Sequence, residues 1–142
     1  MAHQINVFLE NRPGRLERLT RALMQERVNI RAITIADQEG FGVIKLLVDD
    51  PDKAYQALRR EGFTAYLREV IAVIMNDRPG GLHEVCEVLD REGINIEDAY
   101  GFVVQELKTA LLVVEVENLP EAEEVIRRTG IRVLSDEELY RL

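Results

Sequence analysis

Apolar positions along this chain follow two periods in turn, and the whole pattern runs through the sequence twice. Ile5-Asn6-Val7-Phe8-Leu9 is a short apolar run closed by Asn11-Arg12-Pro13-Gly14, a strong turn signal, and predicts a strand. Leu16, Leu19, Thr20 and Leu23 then fall at i, i+3, i+4 and i+7, one stripe of an α-helix. A second strand is predicted over about Val28 to Ala36 and a third over about Gly42 to Val48, joined by a hairpin turn at Gln38-Glu39-Gly40. Asp50-Pro51 supplies an N-cap residue with proline at the first helical position, and Gly62 stops that helix. A short strand over Phe63 to Leu67 completes the set.

The same elements return at an offset of 66 residues. Asn11-Arg12-Pro13-Gly14-Arg15-Leu16 reappears as Asp77-Arg78-Pro79-Gly80-Gly81-Leu82, and Glu26-Arg27-Val28-Asn29-Ile30 as Glu92-Gly93-Ile94-Asn95-Ile96. Further on the register drifts by two or three residues, as a loop insertion would cause: Asp50-Pro51-Asp52 faces Asn118-Leu119-Pro120-Glu121, and Gly62-Phe63 faces Gly130-Ile131. The second copy therefore predicts a helix with Leu82, Val85, Cys86 and Leu89 on its stripe. Strands are expected over about Ile94 to Val103, Thr109 to Val116 and Ile131 to Leu134, and a helix over about Leu119 to Thr129. On this register Cys86 is a core residue equivalent to Thr20. Ser135 and Glu138 have capping-box spacing, which predicts a short final helix docked through Leu139, Tyr140 and Leu142.

Two βαββαβ copies make an α+β protein of two tandem ferredoxin-like modules, residues 1–68 and 69–142. Each is expected to be an antiparallel four-stranded sheet with helices on one face. Such sheets usually leave the other face wet. Val70 to Met75 and Ala110 to Val114, by contrast, are apolar throughout, and Val43 to Val48 is broken only by Lys45. The helix-free face must then be covered by the other copy, by another chain, or by both, which leads us to expect a homodimer.

Composition narrows the class. With 46% of its 142 residues hydrophobic and 31% charged, the chain has material for a real core. Its single cysteine excludes a disulfide framework and a multi-thiolate zinc site within one chain. The longest apolar run, Val70 to Met75, is far short of the ~20 residues that span a bilayer. The N-terminus has neither the basic start nor the apolar stretch of a signal peptide, so the expected address is the cytoplasm, away from membranes. The net charge of −8 is unevenly spread: residues 1–68 hold 11 basic and 9 acidic residues, residues 69–142 hold 7 and 17. An acidic second half argues against nucleic-acid binding, which draws its affinity from cations. Arg12, Arg15, Arg18, Arg21, Arg27 and Arg31 cluster locally, but Glu17 precedes Arg21 by four residues, the order of a helical ion pair on a solvated face.

The duplicated Arg-Pro-Gly turns carry the candidate chemistry. Each lies between a strand and a helix N-terminus, where unpaired N–H groups and a partial positive charge suit a carboxylate or phosphate. Gly14 and Gly80 let a ligand approach the backbone, within reach of the N–H groups of Arg15 and Leu16 or of Gly81 and Leu82. Asn29 and Asn95, at the start of the next strand, offer both donors and an acceptor, a match for the ammonium and carboxylate of a free amino acid. The other reading of the same residues is structural: Asn11 or Asp77 caps the helix, and Asn29 or Asn95 closes a turn.

These motifs, Arg12-Pro13-Gly14-Arg15-Leu16 with Val28-Asn29-Ile30 and Arg78-Pro79-Gly80-Gly81-Leu82 with Ile94-Asn95-Ile96, resemble the signature of the ACT domain, a small-molecule-sensing module of the ferredoxin-like class. The resemblance covers essentially residues 1–142 and is nearest to stand-alone tandem ACT proteins. It implies a regulatory sensor that binds a free amino acid, or a similar small carboxylate, where modules meet. The strand-helix loop of one module and the start of the second strand of another would line the pocket, and a regulated enzyme would be the partner. On this chain it points to Asn11, Arg12, Gly14, Arg15, Leu16 and Asn29 in the first module, and to Asp77, Gly80, Gly81, Leu82 and Asn95 in the second. Arg27 stands where the second module has Gly93, a departure from the glycine usual before this strand.

Other classes find less support. Catalysis needs convergent titratable groups; His3 lies at the N-terminus and His83 on an exposed first turn. No paired-histidine spacing, nucleophile elbow or Walker loop occurs, so neither an enzyme nor a cofactor is expected. RNA-recognition modules share the βαββαβ order but stack bases on sheet aromatics. Here tryptophan is absent, aromatics total 6%, and Gly42-Val43-Ile44-Lys45 and Thr109-Ala110-Leu111-Leu112 offer no ring. A protein-protein assembly module that takes no ligand is the alternative to the sensor.

Overall fold

A computed structural model describes residues 2–105 and 108–142. Its elements are β1 (Ala2–Glu10), α1 (Arg15–Gln25), β2 (Ile30–Gln38), β3 (Phe41–Val48), α2 (Pro51–Arg60), β4 (Thr64–Asn76), α3 (Gly81–Arg91), β5 (Ile96–Gln105), β6 (Thr109–Val116), α4 (Leu119–Arg128) and α5 (Asp136–Tyr140). The chain divides into two compact units, one holding His3–Arg68 and Tyr140–Leu142, the other Glu69–Leu139 with Ala2. In the first unit the strand order is β2-β3-β1-β4; in the second, β5, β6 and β4 are neighbours. The pairings β1 with β3, β2 with β3, β4 with β6 and β5 with β6 are all antiparallel, so both units are ferredoxin-like plaits.

Helix boundaries follow local chemistry. Asp50 caps α2 by accepting the Lys53 N–H at 3.2 Å, with Pro51 at the first helical position. The β2–β3 hairpin turns through Glu39 (φ 54°) and Gly40 (φ 85°), the paired positive φ that tight hairpins require. After α1 and α3 the chain leaves through Arg27 (φ 57°) and Gly93 (φ 69°). The first module thus keeps the left-handed exit without its glycine, at the cost of backbone strain in Arg27. Asn29 is then clamped to the end of β3: its N–H donates to Asp49 Oδ1 (2.9 Å) and its carbonyl accepts from the Asp49 N–H (3.1 Å).

Each unit has its own core. Ile5, Val7, Leu19, Leu23, Ile44, Leu46 and Leu58 pack together in the first; Ile71, Val73, Val85, Leu89, Leu112, Val114 and Ile126 do so in the second. The buried side of α1 is centred on Leu19, Ala22 and Leu23, and that of α3 on Val85 and Leu89. Relative to the predicted stripe the buried face is rotated away from Leu16, Thr20, Leu82 and Cys86. Cys86 is consequently exposed, a correction to its placement in the core. Thr20 instead turns its hydroxyl back to the Leu16 and Glu17 carbonyls, both at 3.0 Å.

Two further expectations need correction. The last strand of the first copy and the first strand of the second form one 13-residue strand, β4, because no glycine, proline or turn pair interrupts Thr64 to Asn76. The expected strand over Ile131 to Leu134 is reduced to a single bridge, Val73 to Val133, held by Ile74 N–H to the Arg132 carbonyl and Leu134 N–H to the Ala72 carbonyl, both 2.9 Å. The final helix has its capping box: the Glu138 N–H donates to Ser135 Oγ, and the Ser135 N–H to Glu138 Oε1, both at 3.2 Å. Leu139 is fully buried, and the Tyr140 hydroxyl accepts the His3 N–H at 3.0 Å.

Candidate functional site

Both Arg-Pro-Gly turns are built alike. Gly14 (φ 89°) and Gly80 (φ 86°) are the N-cap residues of α1 and α3, and as glycines they supply no side-chain capping bond. The N-cap position is thus held by glycine in both modules, three residues after Asn11 and Asp77. In place of a cap, the Arg15 N–H turns back to the Arg12 carbonyl (3.2 Å) and the Gly81 N–H to the Arg78 carbonyl (2.9 Å). The first loop is tied to the β2–β3 hairpin by the Asn11 N–H donating to the Gly40 carbonyl at 2.9 Å. The next N–H groups of each helix lack intrahelical partners by the geometry of any helix start.

The first loop opens onto a cleft of about 390 Å³, within the range of small-ligand sites. Asn11, Arg12, Gly14, Arg15 and Leu16 line it from the loop; Leu9, Ile35, Gly42 and Ile44 line it from the sheet. The four sheet residues were not anticipated from sequence. Ile35 pairs with Ile44 across β2 and β3, so it shares the helix-covered face, yet it is 50% exposed because α1 does not reach that edge. An apolar residue on the core face of an edge strand beyond the reach of the helix is the signal that marks it. Asn29 lies elsewhere, exposed in a shallow hollow with Thr20, Met24 and Arg27. Within one module, loop and asparagine do not converge.

The second module distributes its residues differently. Gly81 has no room for a side chain, since a Cβ there would lie 2.0 Å from the Asn76 carbonyl oxygen. It faces a cleft of about 360 Å³ with Met75, Glu84, Thr129 and Arg132, on the α4 side of α3. The first module fills the corresponding side with Arg18, whose guanidinium lies 4.9 Å from the Phe63 ring centroid and donates to the Glu61 carbonyl. Asn95 lines a third hollow, of about 330 Å³, with Glu92, Asn118, Glu121 and Arg128. Leu82 is half exposed, and Arg78 is paired with Glu84 at 2.8 Å.

The electrostatics suit recognition more than proton transfer. Glu17 binds Arg21 through its Oε1 at 2.9 Å, and that bond holds its carboxyl below the usual range, as expected of a solvated helix pair. His83 is exposed beside Glu87 at 3.3 Å. Burial, with Glu115 and Asp98 adding to it, pushes the Tyr100 phenol far above its ordinary value and keeps it neutral. Among the described residues no group of His, Cys, Asp and Glu is arranged to hold a metal ion, and no helix is long and apolar enough to cross a membrane.

The family model described as ACT domain pair matches residues 1–142. The chain belongs to that family. Among solved structures this ACT pair is similar to protein BT0572 from Bacteroides thetaiotaomicron, with 35% identity over 99% of this chain and 96% of that one, at a TM-score of 0.92. The regulatory subunit of aspartate kinase from Thermus thermophilus, in a ligand-free form, shares the fold at 18% identity, with 89% and 91% of the chains covered and a TM-score of 0.63. That from Thermus flavus does so at 17% identity, 88% coverage of both chains and a TM-score of 0.60. No curated protein matches the chain. No catalytic family is indicated.

Proposed function

We propose that this ACT pair is a non-catalytic regulatory sensor that binds a free amino acid, or a similar small carboxylate, and passes the signal on through assembly with itself and with a regulated enzyme. The observation that carries the reading is the pair of glycine-started helices, each presenting backbone N–H groups at a loop that an anion can approach. No Cβ placed at Gly14 or Gly80 would meet another atom within 4 Å, so the space above both loops is open to a ligand. The fold shared with aspartate kinase regulatory subunits is compatible with such a role.

The separation of Asn29 from its own loop supports a site completed by another module, and hence a homodimer. Exposed Phe8, Tyr66 and Phe41 support association as well; the first two rings meet edge to face at 5.6 Å between centroids. Those same rings also favour the second reading, an assembly module without a ligand. A thermal-shift screen of the full chain against the free amino acids separates the two. A ligand at 100 times its dissociation constant should stabilise the chain by about 2.7 kcal/mol, whereas a ligand-free assembly module would show no shift with any of them.

A further inference from the structure

Resting on the reading that the modules hold a free amino acid, we propose that the first-module cleft is the side-chain site, that it selects aliphatic L-amino acids, and that the second module lacks an equivalent. The cleft joins two chemistries. At one end are the start of α1 and Arg15, complementary to a carboxylate, beside Arg12, which is paired with Glu10 at 2.8 Å; at the other are Leu9, Leu16, Ile35 and Ile44. The sheet end presents branched and aliphatic side chains, so a charged or hydroxylated ligand side chain placed there would lose water without gaining a partner. An aliphatic one would replace water on Ile35 and Leu16, which are 50% and 39% exposed.

Strand register identifies what the second module has at each of these places. Leu9 pairs with Gly42 and Ile35 with Ile44 in the first module; Met75 pairs with Ala110 and Gly101 with Leu112 in the second. Gly101 thus stands where Ile35 forms the wall. The space above it is taken: a Cβ on Gly101 would lie 3.3 Å from Met75 Cε and 3.2 Å from the Leu111 carbonyl oxygen. Gly81 replaces Arg15, so the second loop lacks that cation, and the acidic Asp77 replaces Asn11.

The test is calorimetric titration of the full chain with L-leucine, L-isoleucine, L-aspartate and L-lysine. L-leucine and L-isoleucine are expected to bind, and the two charged amino acids to bind at least tenfold more weakly. Ile35→Ala should weaken L-leucine binding about tenfold or more, the scale of lost apolar contacts in a pocket. Ile35→Val, which keeps strand propensity and most of the contact, should weaken it less and stands in should the alanine variant not fold. Gly14→Asp should abolish binding, and the parent should saturate at one L-leucine per chain. If L-aspartate or L-lysine binds as tightly as L-leucine, if the Ile35 variants bind like the parent, or if two L-leucine molecules bind per chain, this assignment falls while the sensor reading stands. If none of the four titrates, this assignment falls, and the thermal-shift screen against all the free amino acids decides whether the sensor reading falls with it.

Discussion

At the scale of single residues, the two glycines of the second loop make different demands. Gly80 is required by its φ of 86° alone, whereas Gly81 is required by contact, with the Asn76 carbonyl oxygen 2.0 Å from where a Cβ would sit. The first module carries the same φ at Gly14 but has Arg15 at the position of Gly81, so its loop has relaxed enough to admit a side chain. Gly81→Ala should therefore force the loop apart at a cost of about 3 kcal/mol, the upper part of the range for overpacking. Gly14→Ala, surrounded by open space, should cost only the about 1–2 kcal/mol of left-handed backbone. Urea denaturation of the two variants checks this; equal losses would mean that contact at Gly81 relaxes freely. The motif was legible as a repeat, but the difference between its copies was not, because the clash involves backbone that sequence does not place. Cys86 illustrates the converse. Its stripe was correctly read as helical, but a stripe fixes only the period, and the buried face proved to be centred on Leu19 and Val85.

At the scale of elements, local signals with a hydrogen-bond mechanism were the most legible. The Asp50-Pro51 start, the Glu39-Gly40 turn and the Ser135/Glu138 box all formed where their residues stand. The box yields a prediction with a definite sign. The Ser135 N–H first, and Arg132 second, hold the Glu138 carboxyl below the usual carboxylate range. Its stabilising effect is therefore complete above the ordinary carboxylate value and disappears as pH falls through the lowered one. Glu138→Gln should melt earlier than the parent at neutral pH, and the two melting temperatures should converge in acid. Ser135→Ala, which removes the acceptor for the Glu138 N–H, should cost about 1 kcal/mol. A gap between parent and Glu138→Gln that stays constant down to strong acid would contradict the capping role. Less legible was β4, where two expected strands merged. Nothing between Thr64 and Asn76 can break a strand, so one strand continues through the module boundary suggested by the repeat.

At the scale of the whole molecule, the proposed site is incomplete in any one module, since Asn29 lines a different hollow from Asn11, Gly14 and Leu16. The resemblance implied that loop and asparagine come from different modules, but a repeat carries no record of which copy faces which, so their pairing could not be read from one chain. If a partner chain supplies the asparagine to the first-module loop, a two-fold axis makes the arrangement reciprocal, each chain lending Asn29 and receiving the other's. Gly14→Asp and Asn29→Ala chains would then each assemble into dimers that bind no amino acid. In a mixed dimer one site has both residues damaged and the other has neither. Random mixing in equal amounts should restore about a quarter of the parent's sites, since half the dimers are mixed and each carries one intact site. Titration before and after mixing, with sedimentation to confirm a species of twice 16.3 kDa, measures this directly. Restoration to about a quarter supports a shared site. Two inactive variants that stay inactive on mixing would put loop and asparagine on the same chain, and a sedimenting species of 16.3 kDa alone would remove the dimer itself.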